Sequence, residues 1–195
     1  MIDDNVTIMH NAVIIGPTYV GKNSIIKVGA KIFGGTTIGN NCKIGGEVEN
    51  TIIQSYSNKQ HDGFLGHSFI GSWVNLGANT NTSDLKNNYG FVKVNFFGDM
   101  INTQSKFFGS IIGDHSKTSI NTMLNTGSII GIFSNIFGFG FPKKIIPNFS
   151  WCENGEIKTY DLEKSIETAK VVMQRRNVNM SLQYENEIRK IFKAK

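Results

Sequence analysis

An apolar residue recurs at every sixth position along the first 44 residues of the chain. Every member of this series is a β-branched aliphatic residue: Ile2, Ile8, Ile14, Val20, Ile26, Ile32, Ile38 and Ile44. A period of six fits neither an amphipathic helix nor a strand that alternates between two faces. It predicts a solenoid in which each group of six residues forms one flat side and three groups close a triangular coil.

The residue four places after each of these aliphatic residues is small or β-branched throughout the series. We therefore expect the large aliphatic side chain to fill the interior and the smaller one to fit the space near a corner. Gly21, Gly39 and Gly45 each follow an aliphatic residue of the series directly. They suit positions where a Cβ atom would crowd the backbone of the next coil.

The repeat breaks after Val48 and resumes two residues out of phase at Phe64, Ile70 and Leu76. After a second break it continues in the same phase at Ile112, Thr118, Leu124, Ile130 and Ile136. The two interruptions cover residues 49–61 and about 82–110, and we expect the second to leave the coil as an inserted loop. Insertions in solenoids often line the binding face, so both are candidate functional regions.

The end of the chain changes to a helical pattern. Residues 161–177 carry an apolar stripe at helical spacing, and a second helical stretch covers about residues 180–192. These helices could cap the open end of the solenoid or contact a neighbouring subunit. The predicted architecture is a left-handed parallel β-helix over residues 1–150, an all-β solenoid, followed by a C-terminal α-helical extension over residues 151–195.

Composition agrees with a folded chain rich in tight turns. Charged residues make up 18% of the 195 residues, and there are 21 glycines but 3 prolines, which argues against disorder and against a helix bundle. Cys42 and Cys152 show neither metal-binding nor disulfide spacing, and the N-terminus lacks the pattern of a secretory signal. We therefore expect a cytoplasmic protein that does not enter a membrane.

The formal net charge is +5, and the basic residues gather late in the chain, at 143–144, 175–176 and 190–195. Three interpretations remain open at this point: a surface for nucleic acid, a site for a phosphorylated metabolite or nucleotide cofactor, and solvated charges on a terminal helix.

Two strings in the middle of the chain carry a more specific signal. They are His61-Asp62-Gly63-Phe64-Leu65-Gly66-His67 and Trp73-Val74-Asn75-Leu76-Gly77-Ala78-Asn79-Thr80. Both resemble the acetyltransferase domain of the bifunctional N-acetylglucosamine-1-phosphate uridyltransferase / glucosamine-1-phosphate acetyltransferases, which belong to the hexapeptide-repeat superfamily. The archaeal-type branch and its bacterial relatives share further strings: residues 45–49, 57–59, 65–68, 85–86 and 92–94. The resemblance covers about residues 2–151.

That resemblance implies an N-acetyltransferase that moves an acetyl group from acetyl-CoA to an amino-sugar 1-phosphate, with glucosamine 1-phosphate as the expected acceptor. It also implies a homotrimer with active sites between neighbouring solenoids and no metal requirement for acetyl transfer. Neither nucleic acid nor a membrane is an expected partner of such an enzyme.

The same resemblance assigns roles to individual residues. His61 matches the family's general base, a suitable role because imidazole titrates near neutral pH and an attacking amine must lose a proton. The expected substrate contacts are Asn75, Lys93, Lys86, Lys59, Phe64 and Asp84. The expected acetyl-CoA contacts are Ala78, Ser119, Ile120, Gly138, Lys143 and Lys144.

Two of these positions depart from the family pattern. Phe64 stands where the family has a tyrosine, and Asp84-Leu85 stands where the better-known bacterial enzymes have an Asn-Tyr pair. A nucleotide-binding glycine-rich loop does not precede the solenoid. We therefore expect either a stand-alone relative or a fragment that lacks the nucleotidyltransferase domain, and no pyrophosphorylase activity from these residues.

Three alternatives remain. A zinc enzyme of the γ-carbonic anhydrase type would need three imidazoles to converge on one metal, and the only candidates are His10, His61, His67 and His115. A non-catalytic scaffold would not bind acetyl-CoA. A third alternative is an acyltransferase that acts on a different amino-sugar acceptor.

Overall fold

The computed structural model describes residues 1–96 and 98–194. Short parallel strands follow one another around a triangular coil, and each pairs with strands of the neighbouring coils. Thr7 pairs with Ile25 and Ile25 pairs with Lys43, so a regular coil takes eighteen residues. The predicted parallel β-helix is confirmed.

The coil has three flat faces. Face 1 contains β1 (Thr7–Ile8), β4 (Ile25–Ile26), β7 (Lys43–Ile44), β10 (Asn58–Lys59), β17 (Lys117–Thr118), β20 (Asn135–Phe137) and β22 (Ser150–Glu153). Face 2 contains β2 (Val13–Ile14), β5 (Lys31–Ile32), β8 (Glu47–Glu49), β11 (Phe64–Gly66), β13 (Asn81–Thr82) and β18 (Met123–Leu124). Face 3 contains β3 (Thr18–Val20), β6 (Thr36–Ile38), β9 (Ile52–Ile53), β12 (Phe69–Ile70), β16 (Ser110–Ile112), β19 (Ser128–Ile130) and β21 (Ile145–Ile146). We call the corner between faces 1 and 2 the first corner, that between faces 2 and 3 the second, and that between face 3 and the next face 1 the third.

The predicted inward series forms the core. Its members from Val20 to Ile44 are fully buried, with 0% exposure, and Ile112, Leu124, Ile130 and Ile136 continue the core in the later coils. Ile2 and Ile8 are exposed because the first coil has a neighbouring coil on one side only. The glycine prediction also holds: a Cβ at Gly39 would lie 2.6 Å from the backbone nitrogen of Ser55 in the next coil.

The phase predicted for the middle of the chain is wrong at Phe64. Leu65 is the inward residue, 1% exposed and paired with Val48, whereas Phe64 is half-buried. Residues 49–61 also stay within the coil, since β9 and β10 pair with the strands of the preceding coil. The cause is a local shortening of the coil. Successive inward residues are usually six positions apart, but Ile44 and Val48 are four apart and Val48 and Ile53 are five apart.

A chain excursion separates β13 from β16, in the segment where the sequence predicts an inserted loop. It contains an antiparallel hairpin formed by β14 (Lys93–Phe96) and β15 (Asp99–Asn102). Val92 and Val94 are buried, and their Cγ1 atoms lie next to Gly127 at the second corner. The hairpin is therefore anchored on that corner.

An aromatic ladder runs along the third corner. Its members lie at one position of successive coils, have positive φ angles and stack with ring centroids 4.1 to 6.0 Å apart: Tyr56, Trp73, His115, Phe133 and Phe149. The earlier coils carry asparagine at this position, which tolerates a positive φ more readily than most residues. The aromatic side chains supply an apolar surface where the asparagines could not.

The C-terminal helices pack on this ladder. After β23 (Glu156–Thr159), α1 (Leu162–Gln174) and α2 (Leu182–Lys193) begin at the N-caps Asp161 and Ser181. Ile166 and Ile188 are buried against Phe133 and Phe149. Beyond α1, the Arg176 guanidinium donates a hydrogen bond of 2.7 Å to the Asn58 side-chain oxygen, several coils back. The helices therefore lie along the flank of the solenoid and do not only cover its open end.

Candidate active site

The predicted base, His61, lies in the turn that follows β10 at the first corner. Its side chain is exposed, and among the described residues its ring has no hydrogen-bond partner. A histidine placed only for structure would be expected to use its ring to bond a backbone carbonyl. The free imidazole instead leaves both ring nitrogens available to a ligand.

The backbone of the His61 turn is held from inside the coil by Lys59. This side chain is 3% exposed and takes an inward position opposite Ile44, where earlier coils carry isoleucine. Its ammonium donates hydrogen bonds to the carbonyl oxygens of Gly45 (3.0 Å), His61 (3.2 Å) and Gly63 (2.6 Å). Burial lowers the Lys59 pKa to about 8, although Asp62 and Glu47 act in the opposite direction. The predicted contact between Lys59 and a substrate phosphate gains no support from this placement.

Four of the six residues predicted to contact acetyl-CoA, Ala78, Ser119, Ile120 and Gly138, follow the same corner. Asn79 donates its backbone N–H to the Asp62 carbonyl (2.9 Å), and Asn121 donates to the Ala78 carbonyl (2.8 Å). The corners after β10, Asn75, β17 and β20 are thus successive, and they carry His61, Ala78, Ser119-Ile120 and Gly138. Ile120 and Phe139 are 66% and 84% exposed along this line, so the corner carries exposed apolar side chains.

A second group of predicted residues lies at the second corner. The Nδ1–H of His67 donates a hydrogen bond to the Asp84 carboxylate (2.7 Å), and the Asn50 amide donates to Nε2 (3.3 Å). The His67 ring also stacks on Phe107, with centroids 5.0 Å apart. Asp84, predicted as a substrate contact, therefore orients a histidine in this chain. A carboxylate-oriented imidazole is a second candidate base.

Lys86 and Lys144 line one cavity of about 310 Å³ near the second corner, together with Ser83, Asn125 and other residues. The family resemblance assigns Lys86 to the substrate and Lys144 to acetyl-CoA. Lys93 is exposed on β14 of the hairpin, and Lys143 is exposed at the surface. Within one chain, the predicted residues therefore divide between two corners.

Asn75 and Phe64 occupy the faces beside the first corner. Asn75 is exposed, pairs with Asn58 and Lys117 on face 1, and lines a cavity of about 500 Å³. Phe64 is half-buried on face 2, and its backbone N–H donates to the Asn81 side chain (2.8 Å).

The four histidines have separate environments. His10 is exposed in the first coils, whereas His115 is buried in the aromatic ladder and shares a hydrogen bond of 3.0 Å with the Tyr184 hydroxyl. Burial lowers the His115 pKa to about 3, and the charge of Lys117 acts in the same direction. Within residues 1–96 and 98–194, no group of three or more His, Cys, Asp or Glu side chains is placed to hold a metal ion.

Two features were missed in the sequence. The first is the triad of Asn50, His67 and Asp84, which are spaced seventeen residues apart and stack because the coils in this region are one residue shorter than usual. The second is the role of Lys43 and Lys117, which line the face 1 cavity with Asn75. Counting in steps of six residues along the sequence could find neither the triad nor the lysines of this cavity.

Comparison with known proteins confirms the resemblance seen in the sequence. Over 91 residues the chain is 34% identical to a bifunctional sugar-1-phosphate nucleotidylyltransferase/acetyltransferase from Sulfurisphaera tokodaii, a match that covers 47% of this chain and 23% of the relative. It is 31% identical over 133 residues to the bifunctional protein GlmU from Picosynechococcus, covering 67% of this chain and 25% of the relative. The matched segment thus spans about a quarter of these curated relatives.

Solved structures give weaker similarity. The acetyltransferase domain of PglB from Neisseria gonorrhoeae, in complex with acetyl coenzyme A, aligns with a TM-score of 0.40 and 14% identity, covering 81% of this chain and 56% of that one. A UDP-N-acetylglucosamine O-acyltransferase from Moraxella catarrhalis aligns with a TM-score of 0.30 and 15% identity, covering 87% and 75%. No protein-family model matches the chain, and no helix in the described ranges is long and apolar enough to cross a membrane.

Proposed function

We propose that this protein is an acyltransferase that moves an acetyl group from acetyl-CoA to the amine of a hexosamine 1-phosphate. The observation that carries the proposal is the alignment of His61 with Ala78, Ser119-Ile120 and Gly138 on successive coils of the first corner. A base and an extended apolar strip along one edge are what a reaction between an amine and a long thioester donor requires. The similarity to proteins named as acetyltransferases supports the same reaction.

The residues present fit acetyl-CoA as a co-substrate that supplies the acetyl group as a thioester. The exposed side chains of Ile120 and Phe139 offer apolar contact to its pantetheine arm. The backbone N–H groups of the adjoining coil are candidates for stabilising the developing oxyanion. Lys143 and Lys144 remain the candidates for its phosphates.

His61 would take the proton that the acceptor amine loses as its C–N bond forms and the thioester C–S bond breaks. The same proton can then pass to the departing thiolate, so that the protein ends the cycle unchanged. Lys59 holds the carbonyl of His61 in place and so acts on the position of the base.

A homotrimer would complete the site. The outward side chains of face 3 form an apolar stripe across five consecutive strands: Ile52, Phe69, Ile111, Ile129 and Ile145. Ile52, Phe69 and Ile145 are 45%, 40% and 38% exposed in the single chain, as expected of a surface covered by another copy. Contact between subunits would let the second corner of one chain, with Lys86 and Lys93, approach the first corner of its neighbour.

The test measures release of free CoA from acetyl-CoA with glucosamine 1-phosphate and with galactosamine 1-phosphate. We expect release to need an amino sugar and to fall by at least ~100-fold in His61→Ala, the usual scale for loss of a general base. His67→Ala is the matched control, because it removes the other candidate base at a different corner. Loss of activity in His67→Ala with retention in His61→Ala would assign the base to His67.

Two results would overturn the proposal itself. A protein that binds acetyl-CoA but releases no CoA with either sugar does not use a hexosamine 1-phosphate. A protein that does not bind acetyl-CoA is not an acetyl-CoA-dependent transferase.

A further inference from the structure

A cavity of about 500 Å³ lies between face 1 and the end of α1. Its solenoid wall comes from four successive coils, and its outer wall comes from the residues at the C-terminal end of the helix. The lining residues are Lys43, Tyr56, Asn58, Gln60, Trp73, Asn75, Lys117, Val172, Arg175 and Arg176. The site exists only because the helix returns along the flank of the solenoid.

The charge of this cavity is strongly one-sided. Four of its lining side chains are cationic and none is a carboxylate. Among the described residues, none of these four cations lies within ion-pair distance of an Asp or Glu side chain. By contrast, other lysines on the C-terminal helices have acidic partners. Lys170 on α1 pairs with Glu185 (2.6 Å), and Lys190 on α2 pairs with Glu187 (2.7 Å). Like charges gathered around one space repel, at a cost of about 1 kcal/mol per pair at 4 Å in water and more in a protein, unless an anion lies between them.

Two of the cations are held in place by the protein. Arg176 donates to the Asn58 side chain (2.7 Å), and the Lys117 ammonium donates to the His115 carbonyl (3.0 Å). Each keeps further N–H groups for a ligand, since arginine has five donors and lysine three. Burial lowers the Lys117 pKa, which is the effect expected of a cation that lacks its counter-ion.

The rest of the lining suits a ring with hydroxyl groups. Tyr56 and Trp73 stack face to face with centroids 4.1 Å apart and form one wall. The amides of Gln60 and Asn75 add donors and acceptors to the same space. A volume of about 500 Å³ is within the usual range for small-molecule sites and exceeds the need of a single inorganic ion.

We propose that this cavity binds a phosphorylated small molecule, with its phosphoryl group among the four cations and its ring beside the Tyr56–Trp73 wall. The assignment rests on the proposed function in one respect: Gln60 directly precedes His61, so a sugar phosphate bound here would be the acceptor. The phosphoryl chemistry could also come from the coenzyme, which carries phosphates of its own. The binding experiment separates these two sources.

The experiment is isothermal titration calorimetry on the full chain with glucose 1-phosphate, CoA and pantetheine. Glucose 1-phosphate has no amine and cannot react, and pantetheine keeps the thiol arm of CoA without its phosphates. We expect glucose 1-phosphate to bind, and Lys43→Gln and Arg175→Gln each to weaken binding by at least ~10-fold, as for loss of one charge-assisted hydrogen bond. Lys164→Gln, an exposed lysine on α1 outside the cavity, removes the same charge and should leave binding unchanged.

Each other outcome decides a point. If the two cavity variants weaken CoA but not pantetheine or glucose 1-phosphate, the phosphoryl group in the cavity belongs to the coenzyme. If no phosphorylated ligand binds, or if Lys164→Gln weakens binding as much as the cavity variants, the proposal is wrong. Acetyl transfer is measured separately, so phosphate binding without acetyl transfer would refute the proposed function and leave this site standing. Thermal melting of each variant checks that it folds.

Discussion

Replacement of Lys59 by methionine removes a charge from the interior of the solenoid while keeping a side chain of similar length. In the native protein the ammonium is 3% exposed and bonds three carbonyl oxygens. Asp62 and Glu47 are the acidic groups that act on it, and both favour its charged form. Burial outweighs them, so the folded protein holds this proton less tightly than the unfolded chain does.

The size and sign of the effect follow from the pKa. A fall from 10.5 to about 8 corresponds to about 3.5 kcal/mol, at about 1.4 kcal/mol for each pKa unit. Below about pH 8 both states are protonated, and the free energy of unfolding carries the full cost of the buried charge. Between about 8 and 10.5 the unfolded chain binds more protons than the folded one, so this residue makes stability rise with pH.

The assay is urea unfolding at constant protein concentration, from about pH 7 to about pH 10, for the native protein and Lys59→Met. Burial also raises the Cys42 pKa to about 11, which acts in the opposite direction at high pH, so the quantity to examine is the difference between the two proteins. That difference should shift in favour of the native protein by about 2–3 kcal/mol across the range. Lys22→Met, at an exposed lysine, controls for the loss of one charge. A difference that stays constant with pH would refute the reasoning.

Three further predictions follow from the core, the aromatic ladder and the outer surface. His115→Phe should reduce the loss of stability at acid pH. The folded His115 pKa is about 3 against an ordinary 6.5, so the unfolded native chain binds more protons than the folded one between these values. Urea unfolding should show that this residue costs the native protein up to about 5 kcal/mol as the pH falls, a loss that the variant does not share. Ile38→Ala, at a fully buried position, should lower the free energy of unfolding by about 2–5 kcal/mol, whereas Ile8→Ala, at a position 47% exposed, should cost less. Phe69→Lys on the face 3 stripe should shift light-scattering mass from trimer to monomer, and an unchanged trimer would place the interface elsewhere.

The candidate site was only partly predictable. The family resemblance singled out His61 and the acetyl-CoA candidates Ala78, Ser119, Ile120 and Gly138, which lie on successive coils of the first corner. The pairing of His67 with Asp84 could not be predicted, since it depends on coils that are one residue short. Lys59 is a clearer case, because counting positions along the sequence does not distinguish an interior lysine from a lysine on the surface.

The sequence by itself determined the solenoid and its core. An aliphatic residue at every sixth position can be buried only if each side of the coil turns after six residues, and small residues beside it fit only a tight corner. Only the tertiary structure decided which residues face inward between Val48 and Ile70. Some corners there are one or two residues shorter, and the sequence pattern does not show which corners these are. The tertiary structure also decided the basic cavity, since Arg175 and Arg176 meet Lys43 and Lys117 only after α1 runs back along the flank, and no local pattern encodes contacts between residues more than fifty positions apart.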